Sequence, residues 1–186
     1  LNGSKGVVLN GDSANLVIVS ARTAGARRDR DGISLFLLDP TSPGVTRRGY
    51  ATQDGLRGAE IVLENARVTL LAENALPLIE QVTDEAIAAL CAEAVGAMET
   101  LRDLTVDYLK TRQQFGRAIA EFQALQHRAA DMLVATEQAR SMAMYAAMMV
   151  RHPDAATRST ALSAAKALIG RLGDQVGKDA IQLHGG

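Results

Sequence analysis

The feature that most constrains the fold is a change in the spacing of apolar residues near position 70. Before this position, short β-favouring runs alternate with turn residues, whereas after it apolar residues recur every three or four positions over long stretches. Such a switch is typical of a chain that carries two structural units of different class. We therefore predict an α+β protein, with a small antiparallel β domain over residues 1–70 followed by a long-helix antiparallel bundle over residues 71–186.

The first part of the sequence indicates short strands separated by turn sequences. The β-favouring runs cover residues 7–9, 16–19, 33–38, 45–46 and 61–63. Asn10-Gly11 and Asp31-Gly32 favour tight hairpins, because asparagine, aspartate and glycine tolerate positive φ. No connection is long enough for a helical crossover, and no Gly-x-Gly-x-x-Gly sequence follows a strand. We therefore expect a mostly antiparallel sheet without a Rossmann-type nucleotide site.

The second part of the sequence predicts three long helices, over residues 84–111, 119–151 and 154–180. Thr83 is a candidate N-cap of the first helix, with Asp84 and Glu85 in its first turn. Pro153 separates the second helix from the third, because proline cannot continue a helix. Short connections imply antiparallel packing. Apolar residues occupy more than one face, so we expect a fourth helix or another subunit to cover one side of the bundle.

The composition argues against nucleic acid binding and against membrane insertion. The formal net charge is −1 and there is no tryptophan, so neither charge nor aromatic stacking favours nucleic acid. No apolar run approaches the ~18 residues of a membrane-spanning helix. Cys91 is the only cysteine, which suggests a reducing compartment, and no histidine spacing fits a metal site. We expect a soluble, cytoplasmic protein without metal, and the ending at Gly185-Gly186 suggests a segment of a longer polypeptide.

The candidate site combines one arginine with an aromatic residue, two glutamines and several glycines. It comprises Arg112, Phe115-Gly116, Gln123, Gln182 and Gly185-Gly186. A guanidinium group suits a phosphate or diphosphate, because its planar fork donates two parallel hydrogen bonds. Taken singly, each residue has an ordinary alternative: an arginine against the last carbonyls of a helix, surface amides, and a helix-ending glycine turn.

The spacing of these residues resembles the C-terminal domain of acyl-CoA dehydrogenases, in which Arg-x-x-Phe-Gly precedes a glutamine and a late Gln-x-x-Gly-Gly. Residues 1–20 and 54–68 resemble the middle β domain of the same family. The resemblance implies an incomplete acyl-CoA dehydrogenase fold, made of the middle domain and three of the four helices of the C-terminal bundle. Residues 122–132 resemble the small subunits of pimeloyl-CoA-type dehydrogenases.

The same resemblance implies a FAD site and a reaction. In the family these positions hold FAD that is bound to a neighbouring subunit, with the arginine on the diphosphate and the glutamines on the adenosine. The residues expected to bind FAD are Arg112, Phe115, Gln123, Gln182, Gly185 and Gly186. The implied reaction is α,β-dehydrogenation of an acyl-CoA, with an electron-transfer flavoprotein-type acceptor. The implied assembly is a homo- or hetero-oligomer, in which a dimer of dimers is expected.

Two departures from the family pattern leave a second function open. The family carries Trp-x-Ser/Thr at the flavin ring, where this sequence has Val7, Val8 and Leu9. In most members the catalytic carboxylate lies beyond the position that matches Gly186. In a minority it lies on the first bundle helix, at the position that matches Ala86, and the adjacent Glu85 points elsewhere on a helix. We therefore assign no catalytic residue. The alternative function is a non-catalytic flavin-binding or structural subunit of a heteromeric acyl-CoA dehydrogenase.

Two further side chains have an obvious structural interpretation. His184 lies between Gln182 and the final glycines, and we expect it to serve in packing or capping rather than as an acid. Cys91 lies in an alanine-rich helical pattern, which favours a small buried apolar residue over a nucleophile.

Overall fold

The computed structural model describes residues 1–185. The chain divides into two compact units, Leu1–Ile79 and Glu80–Gly186. An antiparallel β unit is followed by a helical unit, so the predicted α+β class is confirmed.

The first unit contains two antiparallel sheets. Over residues 1–79 the strands are β1 Gly3–Leu9, β2 Val17–Arg22, β3 Ile33–Leu38, β4 Val45–Ala51, β5 Arg57–Leu63 and β6 Thr69–Ala72. One sheet has the order β1-β5-β4 and the other the order β2-β3-β6. Burial alternates along β3, as expected for a strand with one face in the core. Side chains from both sheets, including Val19, Leu38 and Ile61, form one apolar core.

The prediction that Asn10-Gly11 closes a tight hairpin is wrong, because the strands on either side of this turn do not pair with each other. β1 pairs with β5 and β2 pairs with β3, so the turn connects strands of different sheets. Asn10 does adopt positive φ, at 54°, and its N–H donates to the Arg57 carbonyl at 2.9 Å. The sequence therefore predicts the backbone conformation of this turn but not the strand pairing, since β1 pairs with residues far along the chain, from Leu9 opposite Gly58 to Gly3 opposite Leu63.

The second unit is built from long helices. Between residues 76 and 185 the α-helices are α1 Leu76–Thr111, α2 Gln123–Met149 and α3 Ala155–Leu183. A short hairpin and a 3-10 turn connect α1 to α2. The hairpin consists of two strands of two residues each, β7 Gln113–Gln114 and β8 Arg117–Ala118, and the 3-10 turn is Ile119–Glu121. The helical core is rich in alanine and includes Cys91, Met132, Leu162 and Ile169. Alanine on facing helices lets their backbones approach closely.

The predicted start of the first helix is wrong, since α1 begins at Leu76 and Thr83 lies within it. Asp84 therefore does not complement a helix N-terminus. Its carboxylate is buried and accepts a hydrogen bond from Nε of Arg158 on α3 at 2.8 Å. Nη1 of Arg158 also donates to the His152 carbonyl, at 3.1 Å. Asp84 is therefore explained by an ion-pair partner 74 positions later in the chain, which rules based on neighbouring residues cannot predict.

The break between α2 and α3 lies where the sequence predicts it. Asp154 is the N-cap of α3, and its carboxylate accepts the Thr157 N–H at 2.8 Å. Hydrogen bonding from Thr157 holds the pKa of Asp154 below its ordinary value, because the ionised form is the better acceptor.

Cys91 is buried, as predicted, and burial raises the pKa of its thiol. Large apolar side chains also remain exposed on the helices, which agrees with the expected uncovered surface. They include Leu104, Leu133, Val134, Met148 and Ile181. No helix in residues 1–185 is long and apolar enough to cross a membrane.

Candidate functional site

The hairpin after α1 fixes the position of Arg112. The Arg112 N–H donates to the Tyr108 carbonyl at 2.8 Å, and the Arg112 carbonyl accepts the Ile119 N–H at 2.9 Å. Between these two anchors β7 and β8 pair across a two-residue loop, Phe115-Gly116. Both loop residues have positive φ, 54° and 78°, which is the signature of a type I′ turn. Arg112 therefore stands at the base of a closed hairpin.

The Arg112 side chain is exposed, and within residues 1–185 its guanidinium makes no hydrogen bond or ion pair. Other arginines of the helical unit are paired: Arg128 with Asp179 at 3.3 Å, and Arg158 with Asp84. The alternative in which Arg112 binds the last α1 carbonyls has no support from these contacts. A hydroxyl, from Thr111, donates to those carbonyls instead. The guanidinium is available to an external anion.

Phe115 combines exposure with an unfavourable backbone conformation. Its side chain is 88% exposed, and positive φ is unusual for so bulky a residue. The Phe115 ring meets the Phe122 ring edge-on at 5.9 Å, and the Arg117 guanidinium lies 4.2 Å from the centre of the Phe122 ring. The contact between the two rings places Phe115 beside the start of α2. An exposed aromatic held in a conformation that costs on the order of 1–3 kcal/mol is a mark of functional sites.

Gln123 is the first residue of α2, and its side chain is exposed. The segment before it is fixed by Gln126, whose Nε2 donates to the Ala120 carbonyl at 2.8 Å. Phe122, the N-cap residue, offers no side-chain acceptor to the first N–H groups of the helix. The start of α2 thus presents an amide and partial positive charge.

The other part of the predicted site lies at the end of α3. Gln182 is exposed, and its carbonyl accepts the Gly185 N–H at 3.2 Å. Gly185 has φ 112°, which side-chain-bearing residues rarely adopt. Nδ1 of His184 lies 2.8 Å from the Ala180 carbonyl, and the imidazole stacks on the Tyr108 ring with centroids 4.3 Å apart. His184 therefore packs and caps, as the sequence predicts.

Two contacts bring these parts to one end of the helical unit. Tyr108 joins the hairpin to the end of α3, since its carbonyl accepts the Arg112 N–H and its ring stacks on the His184 imidazole. The ion pair between Arg128 and Asp179 places the beginning of α2 beside the same part of α3. The predicted residues thus share one region, although no contact joins their side chains within residues 1–185. Gly186, also predicted, lies outside the described residues.

A shallow apolar groove of about 500 Å³ opens in the same region. It is lined by Leu101, Leu104, Thr105, Ala180, Ile181, His184 and Gly185. The lining is mostly apolar, so it offers van der Waals contact to a flat or apolar group.

In the β unit, the structure adds to the departures seen in the sequence. Val7 and Leu9 are 67% and 66% exposed, and the pairing of β1 with β5 is irregular between Lys5 and Val8. Val7 has φ 52°, which is a rare conformation for a β-branched residue. Gly6, which directly precedes Val7 within β1, is the sequence signal of this irregularity, because a glycine inside a strand often marks a bulge. Neither exposed side chain has a hydroxyl or an aromatic ring.

The described residues offer neither a metal cluster nor a base at the position that a minority of the family uses. Ala86 and Glu85 are both exposed on α1. Within residues 1–185 there is no group of three or more His, Cys, Asp or Glu side chains that could hold a metal ion.

Comparison with known proteins matches both units to domains of one family. Residues 1–66 match the acyl-CoA dehydrogenase middle domain, and residues 76–186 match the acyl-CoA dehydrogenase C-terminal domain. A probable acyl-CoA dehydrogenase of Bacillus subtilis (strain 168), YngJ, is 32% identical over 100% of this chain and 50% of its own length. The chain spans about half the length of the curated relatives it matches.

Solved structures give the same result. The structure described as PigA with FAD and proline is 30% identical, with a TM-score of 0.89, over 100% of this chain and 50% of that protein. Butyryl-CoA dehydrogenase from Megasphaera elsdenii is 28% identical, with a TM-score of 0.86, over the same shares of the two chains.

Proposed function

Because this chain belongs to the acyl-CoA dehydrogenase family, we propose that it is part of a FAD-dependent enzyme that converts an acyl-CoA thioester to its α,β-unsaturated form. The substrate loses a proton from Cα and a hydride from Cβ. FAD, when bound, supplies the hydride acceptor at its N5 atom. Ala86 cannot accept the proton, so the catalytic base is not assigned to this chain's described residues.

The observation that carries this proposal is the exposed guanidinium of Arg112 at the base of the hairpin, which has no hydrogen-bond or ion-pair partner among residues 1–185. Arg112 would bind the FAD diphosphate through parallel hydrogen bonds. Gln123 and Gln182, at neighbouring helix ends, would bind the adenosine part through their amides. Gly185 would let the backbone come close to the cofactor, because it has no Cβ. The donor set fits an anionic dinucleotide, since this end of the unit offers a cation and two amides.

The assembly follows from the same proposal. In the family the corresponding residues bind FAD held by a neighbouring subunit, so the full protein is proposed to be an oligomer, with a dimer of dimers expected. The acyl-CoA and an electron-transfer flavoprotein-type acceptor are the proposed partners. The exposed apolar helix residues, such as Leu104 and Met148, agree with a covered surface in the full protein. The similarity to pimeloyl-CoA-type small subunits stays a prediction.

A non-catalytic flavin-binding or structural subunit is the second candidate. It is favoured by Val7 and Leu9, which offer neither hydroxyl nor aromatic ring, and by Ala86 at the position of a family base. Under this alternative, Arg112 still binds the diphosphate and another subunit carries out the dehydrogenation.

The test uses the full-length protein, of which this chain is a part, and butyryl-CoA with longer acyl-CoAs as probes. We expect the protein to purify with flavin absorbance. Anaerobic addition of a suitable acyl-CoA should bleach this absorbance and yield the enoyl-CoA in equal amount. Flavin that no acyl-CoA bleaches would support the non-catalytic alternative. A colourless protein that stays apo after FAD is added would contradict both.

A second experiment uses the strain at Phe115. Phe115→Asn creates an Asn-Gly loop, the sequence that type I′ turns prefer. Relief of backbone strain, on the order of 1–3 kcal/mol, should offset the lost ring contact with Phe122, about 0.5–1.5 kcal/mol. We therefore expect the free energy of unfolding of the apoprotein to stay constant or rise, while FAD affinity falls.

Urea unfolding and FAD titration measure the two effects separately. Gly116→Ala serves as the matched control, because it adds strain at φ 78° without removing the aromatic ring. Its apoprotein should be less stable than wild type. If Phe115→Asn keeps full FAD affinity, the side chain has no part in cofactor binding.

A further inference from the structure

We propose that Tyr108 and His184 are positioning residues, which hold Arg112 and Gln182 in the mutual arrangement that FAD requires. This inference rests on the proposed function, since it concerns the same site. It adds two residues that contribute no proposed hydrogen bond to the cofactor and act through their neighbours.

His184 is fixed relative to α3 by hydrogen bonds at both its backbone and its ring. Its N–H donates to the Ala180 and Ile181 carbonyls, each at 3.1 Å. Nδ1 lies 2.8 Å from the Ala180 carbonyl, and because a carbonyl can only accept, Nδ1 must carry the hydrogen. The imidazole is therefore an oriented extension of α3, two residues after Gln182.

Tyr108 is fixed relative to α1 and to the hairpin. Its carbonyl accepts the Arg112 N–H at 2.8 Å and a hydrogen bond from the Thr111 hydroxyl at 3.2 Å. Its half-buried ring lies 4.3 Å from the imidazole, with the two planes inclined by 26°. The neighbouring residues Leu109 and Leu183 are both buried in the same helical core, so separation of the two helix ends would expose apolar surface.

These contacts connect two groups that are 70 positions apart in the sequence. Arg112 and Gln182 are proposed to bind different parts of one FAD molecule, so their separation must match that of the diphosphate and adenosine. Binding sites of this kind tolerate displacements of roughly 0.5 Å. The stacked rings of Tyr108 and His184 connect these two groups. Tyr108 is joined to Arg112 by one backbone hydrogen bond, and His184 is joined to Gln182 through the last turn of α3. Loss of the stack would therefore weaken FAD binding without removing a ligand.

The experiment titrates FAD into the full-length apoprotein of wild type, Tyr108→Ala, His184→Gln and Arg112→Ala, and of each ring variant combined with Arg112→Ala. His184→Gln keeps a hydrogen-bond donor but removes the ring. We expect each ring variant to lower FAD affinity about three- to tenfold. Tyr108→Phe keeps the ring and should bind FAD like wild type. In the Arg112→Ala background the ring variants should add less than about twofold, because residues that act through one another are not additive.

The outcomes distinguish a failure of the positioning roles from a failure of the proposed FAD site. If Arg112→Ala leaves FAD affinity unchanged, the proposed cofactor site itself fails. If Arg112→Ala weakens FAD binding but the ring variants bind normally, only the positioning roles fail. Ring-variant effects that are as large with Arg112→Ala as without it would also overturn these roles, since a general loss of structure acts independently of Arg112. Should Tyr108→Ala not fold, His184→Gln and its combination with Arg112→Ala give the same decision.

Discussion

Replacing Arg112 with alanine in the full-length protein is expected to weaken FAD binding about ten- to a hundredfold. The variant removes the proposed charge-assisted interaction with the diphosphate, and interactions of this kind contribute about 1.5–3 kcal/mol. Because the Arg112 guanidinium has no partner within residues 1–185, its removal breaks no ion pair there, and apoprotein stability should change little. Titration of FAD into apoprotein measures the affinity.

Two further variants make the Arg112 result specific. Arg112→Lys should recover only part of the affinity, since an ammonium group cannot reproduce the planar fork of donors. Arg151→Ala removes another exposed arginine, in the connection between α2 and α3, and should leave FAD affinity unchanged. If Arg112→Ala binds FAD as wild type does, the diphosphate assignment is wrong and Arg112 is an ordinary surface residue.

The largest effect on stability is expected at the buried ion pair of Asp84 and Arg158. Their side chains are only 8% and 11% exposed. Asp84→Ala leaves the guanidinium buried without a carboxylate and with a hydrogen bond to the His152 carbonyl. This change should lower the free energy of unfolding by about 3–5 kcal/mol. Urea unfolding at fixed protein and FAD concentrations measures this change, because binding of cofactor or subunits also alters the midpoint.

The controls for this prediction compare pairs of different exposure. Arg140 lies on α2, pairs with Glu99 and Glu137, and is 41% exposed. Arg140→Met should therefore lower the free energy of unfolding by less than about 1 kcal/mol. The double variant Asp84→Leu with Arg158→Met should regain most of the loss, since no charge is left unpaired. An Asp84→Ala protein within about 1 kcal/mol of wild type would show that the pair is solvated in solution.

The fold class was predictable from the sequence because the spacing of apolar residues differs between a strand and a helix that each bury one face. β3 and the breaks around Pro153 match their sequence patterns closely. The start of α1 was not predictable, because the acidic residues that imitate a helix N-terminus include Asp84, whose partner lies on α3. The pairing of β1 with β5 was equally hidden, since turn residues report local φ and not the strand that will lie alongside.

The candidate site shows the same division between local and long-range information. Motif spacing, with the family resemblance, selected Arg112 and Gln182, and the structure places both at one end of the helical unit. Motif spacing could not indicate that Phe115 has positive φ, or that Tyr108 stacks on His184. Those facts depend on contacts between helix ends, which leave no periodic trace in the sequence.

The sheet order β1-β5-β4 sets the order of events during synthesis of the chain. β5 is the central strand of that sheet and emerges from the ribosome after both of its neighbours. β4 can pair with β5 as a local hairpin, but β1 must wait until residues near Leu63 are available, because Gly3 pairs opposite Leu63. Until then the N–H and C=O groups of β1 lack their native partners beside the exposed side chains of Val7 and Leu9. Nascent chains that stall before β5 would therefore be the ones most prone to pair with each other.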